Sequence, residues 1–249
     1  MLAHEVAGPP AAPVVVLGSS LGTTRAMWAP QIAALSTEFR VVAYDHRGHG
    51  ASPVPPGPYA IEDLGRDVLE LLDHLGLRQV HYAGLSLGGM VGMWLAAHAP
   101  ERIDRLALLC TSAHMPPASG WHRRAATVRA EGMSAVADAV VARWFTPAFP
   151  PDEVATFHKA LVANDPAGYA ACCAAIAGMD LRPALGRITA PTLVIAGAAD
   201  AATPPEPHAR TIVDGIGARL VVLPDAAHLA SVERAEQVSD LLRRHFTGG

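Results

Sequence analysis

The sequence predicts an α/β fold in which a mostly parallel central sheet is flanked by helices. Three observations predict it: short valine-rich apolar segments, helix-like patterns between them, and a long helical interval before the strand pattern resumes. Strands buried on both faces read as brief, nearly continuous apolar runs, and their alternation with helices is typical of βαβ units. The 249 residues are enough for one large domain.

Six segments carry the strand signal, each short, mostly apolar and bounded by Gly, Pro or Asp. They are Val14–Leu17, Val41–Tyr44, Val80–Ala83, Ile103–Leu109, Thr192–Ala196 and Leu220–Leu223. Apolar residues also recur every three or four positions from Leu64 to Leu75, which predicts a helix with one buried face. A closing amphipathic helix is expected from Val232 to Phe246.

Residues 112–185 break this alternation, because they contain helix-like stretches separated by prolines and no clear strand. These stretches are Trp121–Glu131, Ser134–Trp144, Asp152–Ala163 and Gly168–Gly178. The sequence therefore predicts a helical cap inserted after the strand that ends near Leu109. We expect a core from residues 1–112 and 187–249, with the cap spanning 113–186.

The composition argues against several classes of protein. Hydrophobic residues make up 51% and charged residues 17%, which allows a sizeable core. The formal charge of -4 comes without the basic stripe expected for a nucleic-acid partner. No apolar run approaches the roughly 18 residues of a membrane span, and no signal-peptide pattern is visible, so the cytoplasm is the expected location. Three cysteines do not make a disulfide framework.

A glycine-flanked serine follows the third predicted strand. The segment Gly84-Leu85-Ser86-Leu87-Gly88-Gly89 leads into a helix-compatible run. This is the G-x-S-x-G arrangement of a nucleophile elbow, in which small neighbours let a serine sit on a strained strand-to-helix turn. The alternative is a glycine-rich turn that simply joins the two elements. The flanking strand and helix favour the elbow, so Ser86 is the candidate nucleophile.

An acid and a histidine follow the last two predicted strands, in the chain order of the α/β-hydrolase fold. Asp200 lies after the fifth strand and His228 after the sixth, at the carboxyl ends where catalytic groups gather. A serine needs a base within reach, and a buried carboxylate orients that base. We therefore assign His228 as general base and Asp200 as its partner. Asp225 is the competing acid, but a turn on the histidine's own loop is its expected role.

Backbone N–H groups are expected to stabilise the oxyanion. One is the N–H of Leu87, directly after the serine at the start of the helix. The second lies in the loop after the first strand, Gly18-Ser19-Ser20-Leu21-Gly22, and we place it at Leu21.

From about Val14 to the C-terminus the chain resembles the 3-oxoadipate enol-lactonases of the β-ketoadipate pathway. Where most α/β-hydrolases carry His-Gly, this chain has Ser19-Ser20, and the enol-lactonases depart from the pattern in a similar way. The segments that carry the resemblance are Gly18–Thr23, Met27–Gln31, Tyr44–Gly50, Gly84–Gly89, Glu131–Met133, Arg143–Thr146 and Asp180–Pro183.

The resemblance implies hydrolysis of 3-oxoadipate enol-lactone to 3-oxoadipate through an acyl-enzyme, with no metal or organic cofactor. The small-molecule substrate carries a free carboxylate, so a cation or a hydrogen-bond donor is expected near the pocket. A solvated helix face is the alternative explanation for any one cap arginine. The candidate substrate contacts are Ser20, Trp121, Arg124, Arg143 and Trp144, and the cap also offers Arg123 and Arg129.

Other functions use the same serine machinery. A carboxylesterase, another lactonase and a cofactor-free perhydrolase of this fold all remain open, because Ser86 cannot separate them. A ligand receptor built on a hydrolase scaffold is a further alternative from another class. A metal-dependent lactonase would need an H-x-H-x-D-H cluster, and the segment from Asp45 to His49 is not one.

Overall fold

A central sheet organises the molecule, and the computed structural model describes residues 1–248. The strands are β1 (His4–Ala7), β2 (Val14–Gly18), β3 (Arg40–Tyr44), β4 (Val80–Leu85), β5 (Ile103–Leu109), β6 (Thr192–Gly197) and β7 (Arg219–Leu223). Within the described residues they form one seven-stranded sheet in the order β1-β3-β2-β4-β5-β6-β7. β1 runs antiparallel to β3, and the other neighbouring pairs are parallel.

The predicted α/β fold with a mostly parallel sheet is confirmed, and all six predicted strands are present. The strand that begins at Val80 runs on to Leu85 instead of ending at Ala83. β1 was not predicted. Its residues Glu5 and Val6 are exposed at the edge of the sheet, so this strand has no apolar run that could mark it in the sequence.

Helices flank the sheet and fill the intervals between its strands. They are α1 (Ala29–Leu35), α2 (Ile61–His74), α3 (Leu87–His98), α4 (Ala118–Glu131), α5 (Ser134–Val141), α6 (Pro151–Val162), α7 (Pro166–Gly178), α8 (Arg210–Ile216), α9 (Ala230–Glu233) and α10 (Ala235–Thr247). α2 packs against α3, and α1 packs against α10. The predicted apolar stripe of α2 is buried from Leu64 to Leu72, as its spacing of three and four requires.

Two predicted helices differ from the structure. The closing helix is not continuous, because the backbone leaves the helical region at Arg234 (φ -126°, ψ 50°) and separates α9 from α10. The stretch predicted from Ser134 to Trp144 ends as a helix at Val141, and Trp144 lies in the turns that follow. The second difference matters for the site, because Trp144 is thereby presented from a loop.

Helices α4 to α7 lie between β5 and β6, where the sequence predicts the inserted segment. α4 packs against α7, and α5 packs against both α4 and α6. An isolated antiparallel bridge between His114 and Asp180 joins the two ends of this segment, and the Leu181 N–H donates to the Ala113 carbonyl at 2.8 Å.

Within residues 1–248, no individual helix combines the length and the apolar character needed to cross a bilayer. α6 and α7 taken together meet the length and composition criteria, but a bend of 94° separates them.

Candidate active site

Ser86 occupies a strained turn between β4 and α3. Its backbone has φ 55° and ψ -111°, a left-handed region that a serine rarely adopts. Neighbouring groups hold it there. The Ser86 N–H donates to the Leu109 carbonyl at 2.9 Å, and its carbonyl accepts from the Thr111 hydroxyl at 2.7 Å. The turn thus has the backbone geometry of a nucleophile elbow.

The glycines on either side of Ser86 are required by close backbone contacts. A Cβ on Gly84 would lie 2.2 Å from the carbonyl atoms of Gly88. A Cβ on Gly88 would lie 2.1 Å from the Gly18 carbonyl oxygen. Both distances are far below van der Waals contact, so the G-x-S-x-G spacing follows from how tightly β4, α3 and β2 approach one another.

Asp200 lies in the turn after β6 and is only 2% exposed. Its Oδ1 accepts from the Ala202 and Thr203 N–H groups at 2.8 and 2.9 Å. Its Oδ2 accepts from the Thr203 hydroxyl at 2.7 Å and from His228 Nδ1 at 2.9 Å. Burial raises the pKa of Asp200, but His228 and the Thr203 hydrogen bonds outweigh burial, so the pKa lies below its usual value. The carboxylate is therefore ionised at neutral pH.

His228 lies on the loop after β7 and is 4% exposed. Its Nδ1 is hydrogen-bonded to an ionised carboxylate, so Nδ1 carries the proton and Nε2 of the neutral ring is free to accept one. The loop is held by two bonds: the Leu229 N–H donates to the Trp144 carbonyl at 2.9 Å, and the Ala227 N–H donates to Glu233 at 2.7 Å.

The structure brings Ser86 and His228 to the wall of one cavity. Among the hydrogen bonds of residues 1–248, none joins the Ser86 hydroxyl to the imidazole. Such bonds are often long in free enzymes and tighten when substrate binds. The cavity can therefore offer one substrate the Ser86 hydroxyl and the His228 imidazole, with the Asp200 carboxylate orienting the imidazole.

The predicted oxyanion donors have free backbone amides. The Gly22 N–H donates to His49 Nε2 at 2.9 Å, and the Gly88 N–H donates to the Ser19 carbonyl at 3.0 Å. Within residues 1–248, the N–H groups of Leu21 and Leu87 donate to no protein acceptor. Leu21 also lines the cavity.

The cavity lies between the carboxyl edge of the sheet and helices α4, α5 and α7, and its volume is about 480 Å³, part of it open to solvent. All the predicted substrate contacts line it: Ser20, Trp121, Arg124, Arg143 and Trp144. By contrast, Arg123 and Arg129 are exposed and do not line it. The structure thus separates the four cap arginines that the sequence could not rank.

Comparison with known proteins assigns the family. The family model described as the alpha/beta hydrolase fold matches residues 13–235, most of the chain. The chain belongs to the alpha/beta hydrolase family. This hydrolase is 42% identical to 3-oxoadipate enol-lactonase 2 of Acinetobacter baylyi, over 90% of the chain and 85% of that enzyme. The predicted resemblance to the enol-lactonases is thereby confirmed.

Solved structures agree with this assignment. The hydrolase matches the enol-lactonase from Burkholderia xenovorans with a TM-score of 0.96 and 44% identity, covering 99% of this chain and 96% of that one. It also matches a malate-bound thermophilic esterase from Thermogutta terrifontis with a TM-score of 0.93 and 32% identity, covering 99% and 93% of the two chains.

Two guanidinium groups of this hydrolase face the cavity without an anionic partner. Within residues 1–248, neither Arg124 nor Arg143 forms an ion pair with a carboxylate. Arg124 instead lies over the Trp121 ring, 4.6 Å from its centroid, and Arg143 Nε donates to the Ala139 carbonyl at 3.2 Å. Burial, and then the charge of Arg124, lower the pKa of Arg143. The site therefore concentrates positive charge.

Tyr169 of α7 also lines this cavity, and the sequence analysis missed it. From Gly168 to Ile176 every residue of α7 except Ala174 is buried, so no alternation of polar and apolar positions singles out the tyrosine. Among residues 1–248, no group of three or more His, Cys, Asp or Glu side chains is placed to hold a metal ion.

Proposed function

We propose that this hydrolase converts 3-oxoadipate enol-lactone, or a closely related small lactone, to 3-oxoadipate. The observation that carries the proposal is the shared cavity: the serine and imidazole face two arginines that have no carboxylate partner within the described residues. A substrate with a reactive acyl carbon and a free carboxylate complements both halves of that cavity. The names of the two enol-lactonase relatives support the choice of lactone.

The proposed reaction begins at the serine. His228 Nε2 takes the proton of the Ser86 hydroxyl as its oxygen attacks the lactone carbonyl, while Asp200 stabilises the imidazolium that forms. The N–H groups of Leu21 and Leu87 donate to the oxyanion of the tetrahedral intermediate. Collapse breaks the ring C–O bond and expels an enolate. The enolate takes the proton from the His228 imidazolium and becomes the ketone, so the imidazole is neutral again.

The second half of the reaction releases the product. A water molecule gives its proton to His228 Nε2 and attacks the acyl-enzyme. The intermediate then breaks its bond to the Ser86 oxygen, which recovers the proton from the imidazolium. Because the side chains supply nucleophile and base, this sequence of steps calls for no metal or organic cofactor.

We assign substrate orientation to the residues of the predicted cap that line the cavity. We assign Arg124 and Arg143 to the substrate carboxylate, and Trp121 and Trp144 to the apolar faces of the molecule. Ser20, in the loop that carries Leu21, completes the wall. The division into a core of residues 1–112 and 187–249 with a cap of 113–186 belongs to the same proposal, as does a cytoplasmic location.

The deciding experiment follows the loss of enol-lactone absorbance with the wild type and with Ser86→Ala. We expect turnover by the wild type and none by the variant, with both proteins folded by circular dichroism. Full activity of Ser86→Ala would refute the serine mechanism, and wild-type activity on simple esters without activity on the lactone would refute the lactone assignment.

The arginine contacts are tested by matched variants. Arg124→Met should raise KM for the enol-lactone by about tenfold or more, since a hydrogen bond to a charged group contributes roughly 1.5–3 kcal/mol. Arg123→Met is the control, because Arg123 is adjacent in sequence but exposed and outside the cavity. If neither Arg124→Met nor Arg143→Met changes KM, the cap does not bind the carboxylate.

A carboxylesterase acting on carboxylate-bearing esters is the second candidate. The similar esterase whose structure contains malate, a small dicarboxylate, favours an anionic ligand for this cavity as well. The two candidates differ in the acyl group that is hydrolysed fastest. A higher kcat/KM for open-chain esters with a free carboxylate than for the enol-lactone would favour the esterase.

A further inference from the structure

The hydroxyl of Tyr169 is buried without a hydrogen-bond partner. The side chain is 0% exposed, and its oxygen is among the buried polar atoms that have no partner in the described residues. Tyr169 lines the cavity that also contains Ser86 and His228. Buried hydroxyls are normally paired, because desolvation without a bond destabilises the fold. An unpaired hydroxyl at a cavity wall therefore points to a ligand.

The Tyr169 ring is held in a fixed position. A Cβ on Gly22 would lie 3.2 Å from Tyr169 Cε2 and 3.7 Å from Trp144 Cζ2, so the ring packs against the loop that follows Leu21. The ring of His49 lies 6.4 Å away, centroid to centroid. Packing of this kind removes the rotational freedom that a binding group would otherwise lose when substrate arrives.

The hydroxyl also lies in the field of the two arginines. Burial raises the pKa of Tyr169, and the nearby guanidinium of Arg124 and then the charge of Arg143 oppose that rise. A guanidinium can only donate hydrogen bonds, so the approach of Arg124 gives the hydroxyl proton no acceptor. The phenol consequently keeps its proton at neutral pH and can donate it in a hydrogen bond. A neutral donor beside two cations, none of the three with an anionic partner in residues 1–248, complements a carboxylate.

We propose that the Tyr169 hydroxyl donates a hydrogen bond to the carboxylate of the substrate and, with Arg124 and Arg143, selects small acyl compounds that carry a free carboxylate. This inference rests on the proposed function, because it names a binding group for the same site. Tyr169 is a specificity-determining residue in this account and takes no part in the proton transfers at Ser86.

The test compares Tyr169→Phe with the wild type on two esters that release the same nitrophenolate. Mono(4-nitrophenyl) glutarate carries a free carboxylate, whereas 4-nitrophenyl acetate carries none. We expect the ratio of kcat/KM for the charged ester to kcat/KM for the neutral ester to fall by about 10- to 100-fold, mainly through KM. Tyr59→Phe is the control, because its hydroxyl donates to the Pro55 carbonyl at 2.6 Å outside the cavity. The control should keep the wild-type ratio.

Thermal unfolding gives a second, independent readout. Removing an unpaired hydroxyl relieves an uncompensated burial, so Tyr169→Phe should melt at or above the wild-type temperature. Tyr59→Phe loses the hydrogen bond to the Pro55 carbonyl, so it should melt below the wild-type temperature. A Tyr169→Phe protein that melts as low as Tyr59→Phe would contradict the unpaired hydroxyl, and an ester ratio within twofold of the wild type would overturn the proposal.

The same assay separates this inference from the proposed function. If Arg124→Met lowers the ester ratio and Tyr169→Phe does not, the arginine site stands and the tyrosine contact is wrong. If Ser86→Ala still hydrolyses both esters, the serine mechanism itself fails, whatever the two cavity variants do.

Discussion

Replacing Asp200 by asparagine tests the proposed mechanism most sharply, because the hydrogen bonds determine how the amide must orient. Oδ1 accepts from the backbone N–H groups of Ala202 and Thr203, and an amide NH₂ cannot accept either bond. The amide oxygen of Asp200→Asn must therefore take the Oδ1 position. Its nitrogen then takes the Oδ2 position, facing His228 Nδ1, and donates a hydrogen bond to that atom.

This reversed hydrogen bond moves the proton of the neutral imidazole to Nε2. His228 then has no free lone pair for the Ser86 proton, and the imidazolium of the transition state loses its negative partner. We expect kcat to fall by about 10⁴-fold, or about 5.4 kcal/mol at 1.36 kcal/mol for each factor of ten. KM should change little, because Asp200 does not line the cavity.

The assay is steady-state hydrolysis of 4-nitrophenyl acetate, with burst kinetics to separate acylation from release. Asp225→Asn is the matched control, since Asp225 is exposed on the histidine's own loop. A kcat for Asp200→Asn within tenfold of the wild type would refute the reasoning, and a large loss in Asp225→Asn would transfer the role to that residue.

Acid unfolding adds a readout without substrate. Because folding lowers the pKa of Asp200, the ionised carboxylate stabilises the fold at pH values above its unfolded pKa. That stabilisation disappears as the pH falls through the folded pKa. Asp200→Asn should therefore lose less stability between neutral and acid pH than the wild type does.

Two further substitutions probe the supports of the site. Gly84→Ala should abolish turnover and lower stability by several kcal/mol, because the new Cβ would lie 2.2 Å from the Gly88 carbonyl atoms; near-normal turnover would show that the elbow can relax. The two carboxylate oxygens of Glu233 accept from the N–H groups of Thr146 and Ala227, and an amide has only one oxygen to accept either bond. Glu233→Gln should therefore lower kcat and reduce the free energy of unfolding by about 1–3 kcal/mol. Glu236→Gln, on the exposed face of α10, is the control and should leave both quantities at wild-type values.

Much of the fold could be predicted because burial on both faces imprints an apolar run on a strand. β4 and β6 are buried at every position, and their sequences were recognised as strands for that reason. β1 has the opposite character, with two exposed residues at an antiparallel edge, so it carries no such signal. The break at Arg234 was also missed, since the apolar spacing on either side of it is compatible with one helix.

The candidate site likewise has residues that the sequence could predict and residues that it could not. Ser86, Asp200 and His228 could be proposed together because each follows a recognisable strand within five residues, and parallel strands bring their carboxyl ends to one edge. No comparable rule predicts which side chains of the cap face the cavity. Arg123 and Arg124 are neighbours in one helix, and only their direction in the packed structure separates the exposed side chain from the one in the cavity. Tyr169 lies in a helix that is buried nearly all round, so its role depended on the unpaired hydroxyl.

The cavity wall and the loop that carries His228 are connected by hydrogen bonds. The Trp144 carbonyl accepts from the Leu229 N–H, next to His228, and the Glu233 carboxylate joins the Thr146 N–H at 3.0 Å to the Ala227 N–H. A substrate that displaces Trp144 therefore either breaks the bond to Leu229 or displaces the loop that carries His228. Fit at the cap then affects how well the imidazole reaches the Ser86 hydroxyl, so contacts remote from the acyl carbon contribute to kcat as well as to KM. On this account, shortening the acyl group removes rate and not only affinity.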